Sequence, residues 1–166
     1  MTSPGLRPYL PSDAPALAAL FRASVEELAA EDYDTDQREA WAAAADDEAA
    51  FAAKLASALT IVALVGGEVA GFASLKDNNL FEMLYVRPDL ARQGVGSVLA
   101  DAIEKLAGAR GTKTLTVEAS DSARDFFAAR GYVGRSRNTV TIGGEWLGAT
   151  TMTRELAAPP AAGGPH

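Results

Sequence analysis

Residues 84–106, LYVRPDLARQGVGSVLADAIEKL, constrain the fold more than any other stretch of the chain. A short apolar run stops at Pro88, Gly94 and Gly96 follow with one residue between them, and a helical stripe of apolar residues begins at once. The pattern predicts a strand, a glycine turn and an amphipathic helix. Because the first N–H groups of a helix lack intrahelical partners, glycines at its mouth favour binding of a phosphate. A tight turn that needs glycine for its own dihedral angles is the alternative.

Composition narrows the class of protein. A chain of 166 residues with 48% apolar residues predicts one ordinary domain, over residues 1–156, while the Pro/Gly-rich residues 157–166 predict a disordered tail. The absence of cysteine, and the single histidine at His166, exclude thiolate chemistry and disfavour a metal site. The net charge of −7 disfavours nucleic acid and suits a cationic small molecule, although acidity also serves solubility alone. With no apolar leader or membrane span, we expect a cytoplasmic protein that does not bind a membrane.

Hydrophobic periodicity predicts the order strand, several helices, three strands, helix, strand, helix and two strands. Helices are predicted over residues 13–30, 37–45 and 46–57, from residue 95 to the glycines at 108 and 111, and over residues 122–130. Strands are predicted near residue 6, in three runs between residues 60 and 86, over residues 114–119, and on either side of the Gly143-Gly144 turn. This order predicts an α+β, three-layer fold with a mixed, mostly antiparallel central sheet flanked by helices.

The stretches LYVRPDLARQGVGSVL, residues 84–99, and SDSARDFFAARGY, residues 120–132, are two motifs that resemble those of the GCN5-related N-acetyltransferases, the GNAT family. A dinucleotide fingerprint would need a third glycine where Leu99 stands, and no phosphate-binding loop motif of nucleotide hydrolases is present. The stretch LYVRPDLARQGVGSVL resembles the family's strand, [Q/R]-x-x-G-x-[G/A] and helix, with Ala91 at the Gln/Arg position and Arg92 next to it. SDSARDFFAARGY, residues 120–132, resembles the family's N-x-x-A-x-x-F-Y-x-x-x-G-F. The resemblance implies an acetyl-CoA-dependent N-acetyltransferase, EC 2.3.1.-, with the fold given above.

The resemblance also implies a binding site for acetyl-CoA, the acetyl donor. The strand would exchange main-chain hydrogen bonds with the pantetheine arm, and the helix mouth would offer N–H groups to the pyrophosphate. Ser120 stands at the family's asparagine position, although it is equally suited to a turn or helix cap. The implied acetyl-CoA contacts are Leu84, Tyr85, Val86, Arg92, Gln93, Gly94, Val95, Gly96, Ser97, Ser120 and Phe126.

Acetyl transfer needs a base for the amine and a route for the proton of the leaving thiolate. Glu82 is the first candidate base, because strand alternation places its side chain on the same face as that of Leu84. Glu26 and Glu118 are the next candidates. The alternative for Glu82 is a solvated carboxylate on the strand with no catalytic role. Phe127 replaces the tyrosine that family members often use as proton donor. The catalytic candidates are therefore Glu82, Tyr85 and Ser120, with water or release of the unprotonated thiolate as alternatives, and Tyr132 is expected in the core.

The acceptor side is indicated by YDTDQREAW, which resembles the Y-x-x-x-Q-x-x-A-W segment of a bacterial subgroup of acetyltransferases. The resemblance implies substrate contacts from Tyr33, Gln37 and Trp41, with Glu26 nearby, although the two aromatic residues would equally serve to cover the sheet. The acidic run between residues 26 and 36 suggests a small cationic amine as acceptor. A solvated helix face explains the same run equally well. The alternatives are a non-catalytic acyl-CoA sensor, motivated by Phe127, and a peptide or protein N-acetyltransferase, in each case as a monomer or homodimer.

Overall fold

The computed structural model describes residues 4–156. Seven strands form one sheet in the order β1-β2-β3-β4-β5-β7-β6. The strands are β1 Gly5–Pro8, β2 Leu59–Val65, β3 Glu68–Lys76, β4 Leu80–Val86, β5 Thr114–Ser120, β6 Val133–Ile142 and β7 Glu145–Glu155. All neighbouring strands are antiparallel except β4 and β5. The predicted α+β fold and mostly antiparallel sheet are therefore confirmed. The predicted tail, residues 157–166, lies outside the described residues.

Five α-helices cover the sheet: α1 Ala14–Leu28, α2 Thr35–Ala42, α3 Glu48–Ser57, α4 Val95–Ala109 and α5 Arg124–Ala129. Helix α2 begins two residues before the predicted start because Asp34 caps it: the Asp34 carboxylate accepts a hydrogen bond from Gln37 N, and Gln37 Oε1 accepts one from Asp34 N. The predicted continuation to residue 45 is a short 3₁₀ turn. Among residues 4–156, none of the helices has both the length and the apolar character needed to cross a membrane.

Two hydrophobic clusters lie on opposite faces of the sheet. One joins α4, through residues such as Leu99 and Ile103, to Phe81 and Phe127. The other includes Phe21 of α1 and Met83 of β4. Each helix thus presents its apolar stripe to one face of the sheet, which fixes the orientation of its remaining residues.

Strands β4 and β5 separate soon after they begin. They pair only at Leu80↔Thr116 and Phe81↔Val117, and the rest of each strand has no partner on that side within the described pairings. A β-bulge lies at the point of separation: Met83 pairs with Ser74 and Phe81 with Leu75, so Glu82 is the extra residue. The orientation of Glu82 therefore follows from its contacts, because side-chain alternation is interrupted there.

Candidate active site

A cleft of about 630 Å³ occupies the opening between β4 and the elements that follow it. Its walls come from five parts of the chain: the last turns of α1, Trp41 of α2, strand β4, the mouth of α4, and the segment from the end of β5 into α5. The residues that line the β4 wall and the α4 mouth are Leu84, Tyr85, Val86, Arg92, Gly94, Gly96 and Ser97. A smaller cavity of about 80 Å³ adjoins the cleft and shares with it Trp41, Leu84, Tyr85, Ser120 and Ala123.

The mouth of α4 is built by a turn with two left-handed residues. Arg92 has φ 64° and Gly94, the N-cap, has φ 87°. The described hydrogen bonds of the helix begin with Val98 N to Gly94 O, at 3.1 Å. The N–H groups of residues 95–97 precede this bond, so they are the ones that a helix N-terminus offers to an anion.

Different physical arguments apply to the presence of glycine at position 94 and at position 96 of the mouth. Gly94 is required by its positive φ, which agrees with the tight-turn explanation. Gly96 has no such φ, and a Cβ built on it would stand 3.6 Å from the Phe126 ring and 3.7 Å from Val86, which are ordinary contact distances. Neither backbone conformation nor packing therefore requires glycine at position 96, and the space beside it opens into the cleft.

Known proteins share this architecture. The family model for the acetyltransferase (GNAT) domain matches residues 29–156. The uncharacterised N-acetyltransferase YafP of Escherichia coli K12 is 32% identical over 142 residues, which are 86% of this chain and 89% of that protein. The chain belongs to the GNAT family of N-acetyltransferases.

Solved structures agree with this assignment. A crystal structure described as a GCN5-related N-acetyltransferase, aminotransferase class-II, from Rhodopseudomonas palustris is 59% identical and superposes with a TM-score of 0.92, covering 94% of this chain and 98% of that one. The PaiA N-acetyltransferase of Thermoplasma acidophilum, solved in complex with coenzyme A, superposes with a TM-score of 0.77 at 18% identity and shares the fold, covering 93% of this chain and 99% of that one.

Most of the residues predicted to contact acetyl-CoA line the cleft of this GNAT enzyme. The exceptions are Val95 and Gln93. The Val95 side chain is 2% exposed and packs in the core under α4. Gln93 is exposed and donates from Nε2 to Asp89 O at 3.3 Å, within the turn. For Val95, only the main chain is in a position to serve a ligand, whereas Gln93 N already donates to Leu90 O at 3.4 Å.

Glu82 and Glu118 both line the smaller cavity, but they differ in their partners. Glu118 accepts hydrogen bonds from Thr151 Oγ1 at 2.6 Å and from Asn138 Nδ2 at 3.0 Å. Glu82 is 13% exposed, its Oε2 lies 3.8 Å from Lys76 Nζ, and its Oε1 is buried with no hydrogen-bond partner among the described residues. An unpartnered buried carboxylate oxygen is costly, so Glu82 is the carboxylate that gains more from a bound hydrogen-bond donor than Glu118 does.

Tyr85 lines both cavities, and its ring packs against Phe21, Trp41 and Phe72 at centroid distances of 4.7, 6.4 and 5.6 Å. Burial raises the pKa of Tyr85 to about 12. The phenol is therefore neutral at physiological pH and a weaker acid than an ordinary tyrosine.

Phe127, Tyr132 and Ser120, the other residues considered for protonation of the thiolate, have different surroundings in the structure. Phe127 is 3% exposed, and its ring lies 5.3 Å from Phe81 and 5.1 Å from Tyr132. Tyr132 is in the core, as expected, and donates to Glu104 Oε2 at 2.9 Å. Ser120 lines both cavities, while its Oγ also accepts from Ala123 N at 3.2 Å, so it serves the turn as well.

The predicted acceptor residues do not all reach the cleft. Glu26 is exposed on α1 and lines neither cavity, because the apolar stripe of that helix turns Val25 and Ala29 inward. The geometry therefore gives no support to Glu26 as an acceptor contact or base, and both roles stay predictions. Trp41, by contrast, lines both cavities.

Tyr33 and Gln37 also lie away from the cavity walls. Tyr33 is 5% exposed, and its hydroxyl donates to Gly148 O at 2.5 Å and accepts from Asp121 N at 2.8 Å. Gln37 caps α2 and donates from Nε2 to Trp146 O at 2.8 Å. Both side chains are committed to protein partners, so direct substrate contact from them is not supported.

Sequence reasoning missed the wall that α1 contributes. Ser24, Val25, Leu28 and Ala29 line the cleft on the last turns of the helix. Their spacing of one, three and one residues is a helical stripe, and this was the available signal. The same stripe also fits an ordinary core face, and Val25 does pack in the core, so the pattern alone does not identify the cleft wall.

Proposed function

We propose that this enzyme transfers an acetyl group from acetyl-CoA directly to the primary amine of a small cationic molecule. The observation that carries the proposal is the junction of the two cavities: the phosphate-binding geometry of the α4 mouth and the carboxylate-lined inner cavity meet at Leu84, Tyr85 and Ser120. Relatives of the same fold support the choice of donor, since the Salmonella typhimurium yncA structure is described with acetyl-CoA and has a TM-score of 0.64.

The phosphate end of the donor fits the mouth of α4. N–H groups of residues 95–97 would hold pyrophosphate oxygens, and Arg92, which lines the cleft, would add a positive charge. Gly96 adds no side chain of its own to the cleft, so the nearest side chains to the backbone there are Phe126 and Val86, at 3.6 and 3.7 Å from the position of a Cβ. The strand edge at residues 84–86 would then bind the pantetheine arm by main-chain hydrogen bonds, because β5 has already separated from β4 there.

Proton transfer is assigned to Glu82. Its unpartnered Oε1 would accept the proton of the attacking amine, directly or through one water in the small cavity. The amine nitrogen bonds to the thioester carbon, the carbon–sulfur bond then breaks, and its electron pair leaves on sulfur. A coenzyme A thiolate resembles a free cysteine thiolate, with a pKa of roughly 8.5, so solvent is able to protonate it near neutral pH.

The acceptor class follows from charge. Among the described residues, the ones that line the small cavity include two carboxylates, Glu82 and Glu118, and no lysine, arginine or histidine. The exposed acidic run that follows the α1 wall adds a negative field outside it. A second positive charge on the amine substrate would be attracted by both, whereas a carboxylate on the substrate would be repelled.

The test is release of free thiol from acetyl-CoA with a panel of amines: 1,4-diaminobutane, arginine amide, glutamate and a peptide with a free N-terminus. We expect the small cationic amines to have kcat/KM values at least about tenfold above that of glutamate. Glu82→Gln should lower kcat by about 10²–10⁴-fold, the usual contribution of a general base. Glu27→Gln, at an exposed position of α1 that lines neither cavity, is the matched control.

One observation favours a second candidate, a non-catalytic acyl-CoA sensor. Phe127 is an apolar core residue at the position of the family's tyrosine, and the hydroxyl of Tyr132 is occupied by Glu104. Binding of acetyl-CoA by calorimetry without thiol release for any amine in the panel would support the sensor and reject the transferase.

A further inference from the structure

Residues 33–41 attach α2 and the loop before it to β7. Tyr33 Oη donates to Gly148 O at 2.5 Å, and Gln37 Nε2 donates to Trp146 O at 2.8 Å. Strand β5 pairs with β7 only from Ala149 to Glu155, so both carbonyl groups lie just beyond its end. The two side chains thus supply hydrogen bonds to β7 where the neighbouring strand has stopped.

The Tyr33 hydroxyl also holds the end of β5. It accepts a hydrogen bond from Asp121 N at 2.8 Å, so its one proton and one of its lone pairs are both used. The Asp121 carboxylate is in turn paired with Arg137 of β6, with Arg137 Nη2 and Asp121 Oδ2 at 2.9 Å. A Cβ at Gly148 would collide with the Arg137 guanidinium, which shows how closely these segments are packed.

Two residues that line both cavities are adjacent to the hydrogen-bonded group formed by Tyr33, Gly148, Asp121 and Arg137. Ser120 directly precedes Asp121. The Trp41 ring packs edge-on against the Tyr33 ring, with centroids 5.6 Å apart and an interplanar angle of 80°. Tyr33 therefore lines neither cavity itself, but it contacts Trp41 directly and is linked to Ser120 through Asp121.

We propose that Tyr33 and Gln37 form a clamp that positions Trp41 and Ser120 and thereby sets the affinity for the acceptor amine. This rests on the proposed function in so far as the amine binds at the inner cavity. The side-chain hydrogen bonds of Tyr33 and Gln37 among residues 4–156 go to Gly148, Trp146, Asp121 and Asp34, and none reaches the α4 mouth. Loss of the clamp should therefore weaken amine binding more than coenzyme A binding, because Trp41 and Ser120 also line the cleft but the N–H groups of the α4 mouth are not touched by the clamp.

The experiment uses Tyr33→Phe, which keeps the ring and removes the hydroxyl. Tyr9→Phe is the control, because Tyr9 directly follows β1, at the opposite edge of the sheet from β7 and β6. Its hydroxyl has no hydrogen bond among the described residues. The chain has two tryptophans, so Trp146→Phe leaves Trp41 as the only one. All variants are made in that background, and acrylamide quenching then reports the exposure of Trp41 alone.

In Tyr33→Phe we expect the acrylamide quenching constant of Trp41 to rise at least about twofold and the KM for 1,4-diaminobutane to rise at least about fivefold, since small displacements in a site have large effects on binding. The Kd for coenzyme A by calorimetry should stay within about twofold of the control. Gln37→Leu, at a half-buried position, removes the bond to Trp146 O together with the capping bond from Asp34 N, and it should shift the same two quantities in the same direction by less.

Unchanged quenching in both Tyr33→Phe and Gln37→Leu would overturn the clamp. A loss of coenzyme A affinity as large as the change in KM would also overturn it, because it would indicate general loosening. If the parent protein does not acetylate any amine, the proposed function fails, while quenching and calorimetry still decide whether the clamp holds Trp41. If Tyr33→Phe does not fold, Gln37→Leu alone decides through the same readouts.

Discussion

Replacing Gly96 by alanine separates phosphate binding from the needs of the fold. The added Cβ would stand 3.6 Å from Phe126 and 3.7 Å from Val86, so the free protein accepts it without strain. Alanine also favours a helix over glycine by up to about 1 kcal/mol, so the melting temperature should be unchanged or slightly higher. The methyl group would, however, occupy the space through which a phosphate approaches the N–H groups of the mouth.

The expected loss of affinity follows from the hydrogen bonds at stake. A hydrogen bond to a charged group contributes about 1.5–3 kcal/mol, and about 1.4 kcal/mol corresponds to a tenfold change in Kd. Loss of one such bond therefore predicts at least a roughly tenfold higher Kd for coenzyme A in Gly96→Ala, and a larger increase in Gly96→Val. Isothermal titration calorimetry measures the Kd, and thermal melting checks the fold.

Gly108 provides a matched control on the same helix. A Cβ built on Gly108 has no neighbour within 4 Å, and the residue lies at the far end of α4 from the mouth. Gly108→Ala should change stability as Gly96→Ala does and leave the Kd for coenzyme A unchanged. If Gly96→Ala and Gly96→Val bind coenzyme A as tightly as Gly108→Ala, the glycine at position 96 does not serve the phosphate, and the tight-turn explanation covers the whole motif.

Three further predictions concern proton transfer and pH. Tyr85→Phe should lower kcat less than about threefold at saturating acetyl-CoA, because the pKa of Tyr85 is raised to about 12 by burial; a fall of about a hundredfold or more would show that it is the proton donor. Phe127→Tyr should raise kcat if protonation of the thiolate limits turnover, and an unchanged solvent isotope effect would contradict this. Burial alone would raise the pKa of Glu104, but hydrogen bonds from Arg130 and Tyr132 lower this pKa below its ordinary value. The stability that Glu104 contributes is therefore present above about pH 4.3 and is lost as the pH falls through the lowered pKa. In Glu104→Gln, the melting temperature should fall less steeply with decreasing pH on the acid side.

Local signals in the sequence were sufficient for the mouth of α4, where we propose that coenzyme A binds. The helix start at Val95 depends on residues next to one another in the chain, namely the left-handed Gly94 before it and the apolar stripe through Leu99 and Ile103 after it. The order of elements followed in the same way from periodicity and turn residues. Helix ends shifted by a few residues where a side chain, such as Asp34, supplied a cap.

The surroundings of the residues predicted to bind the acceptor required the tertiary structure. Glu26 and Glu82 are both acidic residues within predicted elements, yet the packed face of α1 leaves Glu26 in solvent, while the bulge in β4 buries an oxygen of Glu82 beside a cavity. Tyr33 and Gln37 were predicted to contact substrate, and instead they bind carbonyl groups of β7 more than 100 positions away in sequence.

The physical reason for this division is the range of the interactions. Backbone dihedral preferences, capping and helical periodicity act within a few residues, so the sequence around Gly94 and Gly96 determines a helix mouth that is able to bind an anion. Burial and hydrogen-bond partners depend on which segments meet, and β5 stops at Ser120 while β7 continues past it. That difference in strand length leaves the carbonyl groups that Tyr33 and Gln37 bind, and it is decided only when the sheet has assembled.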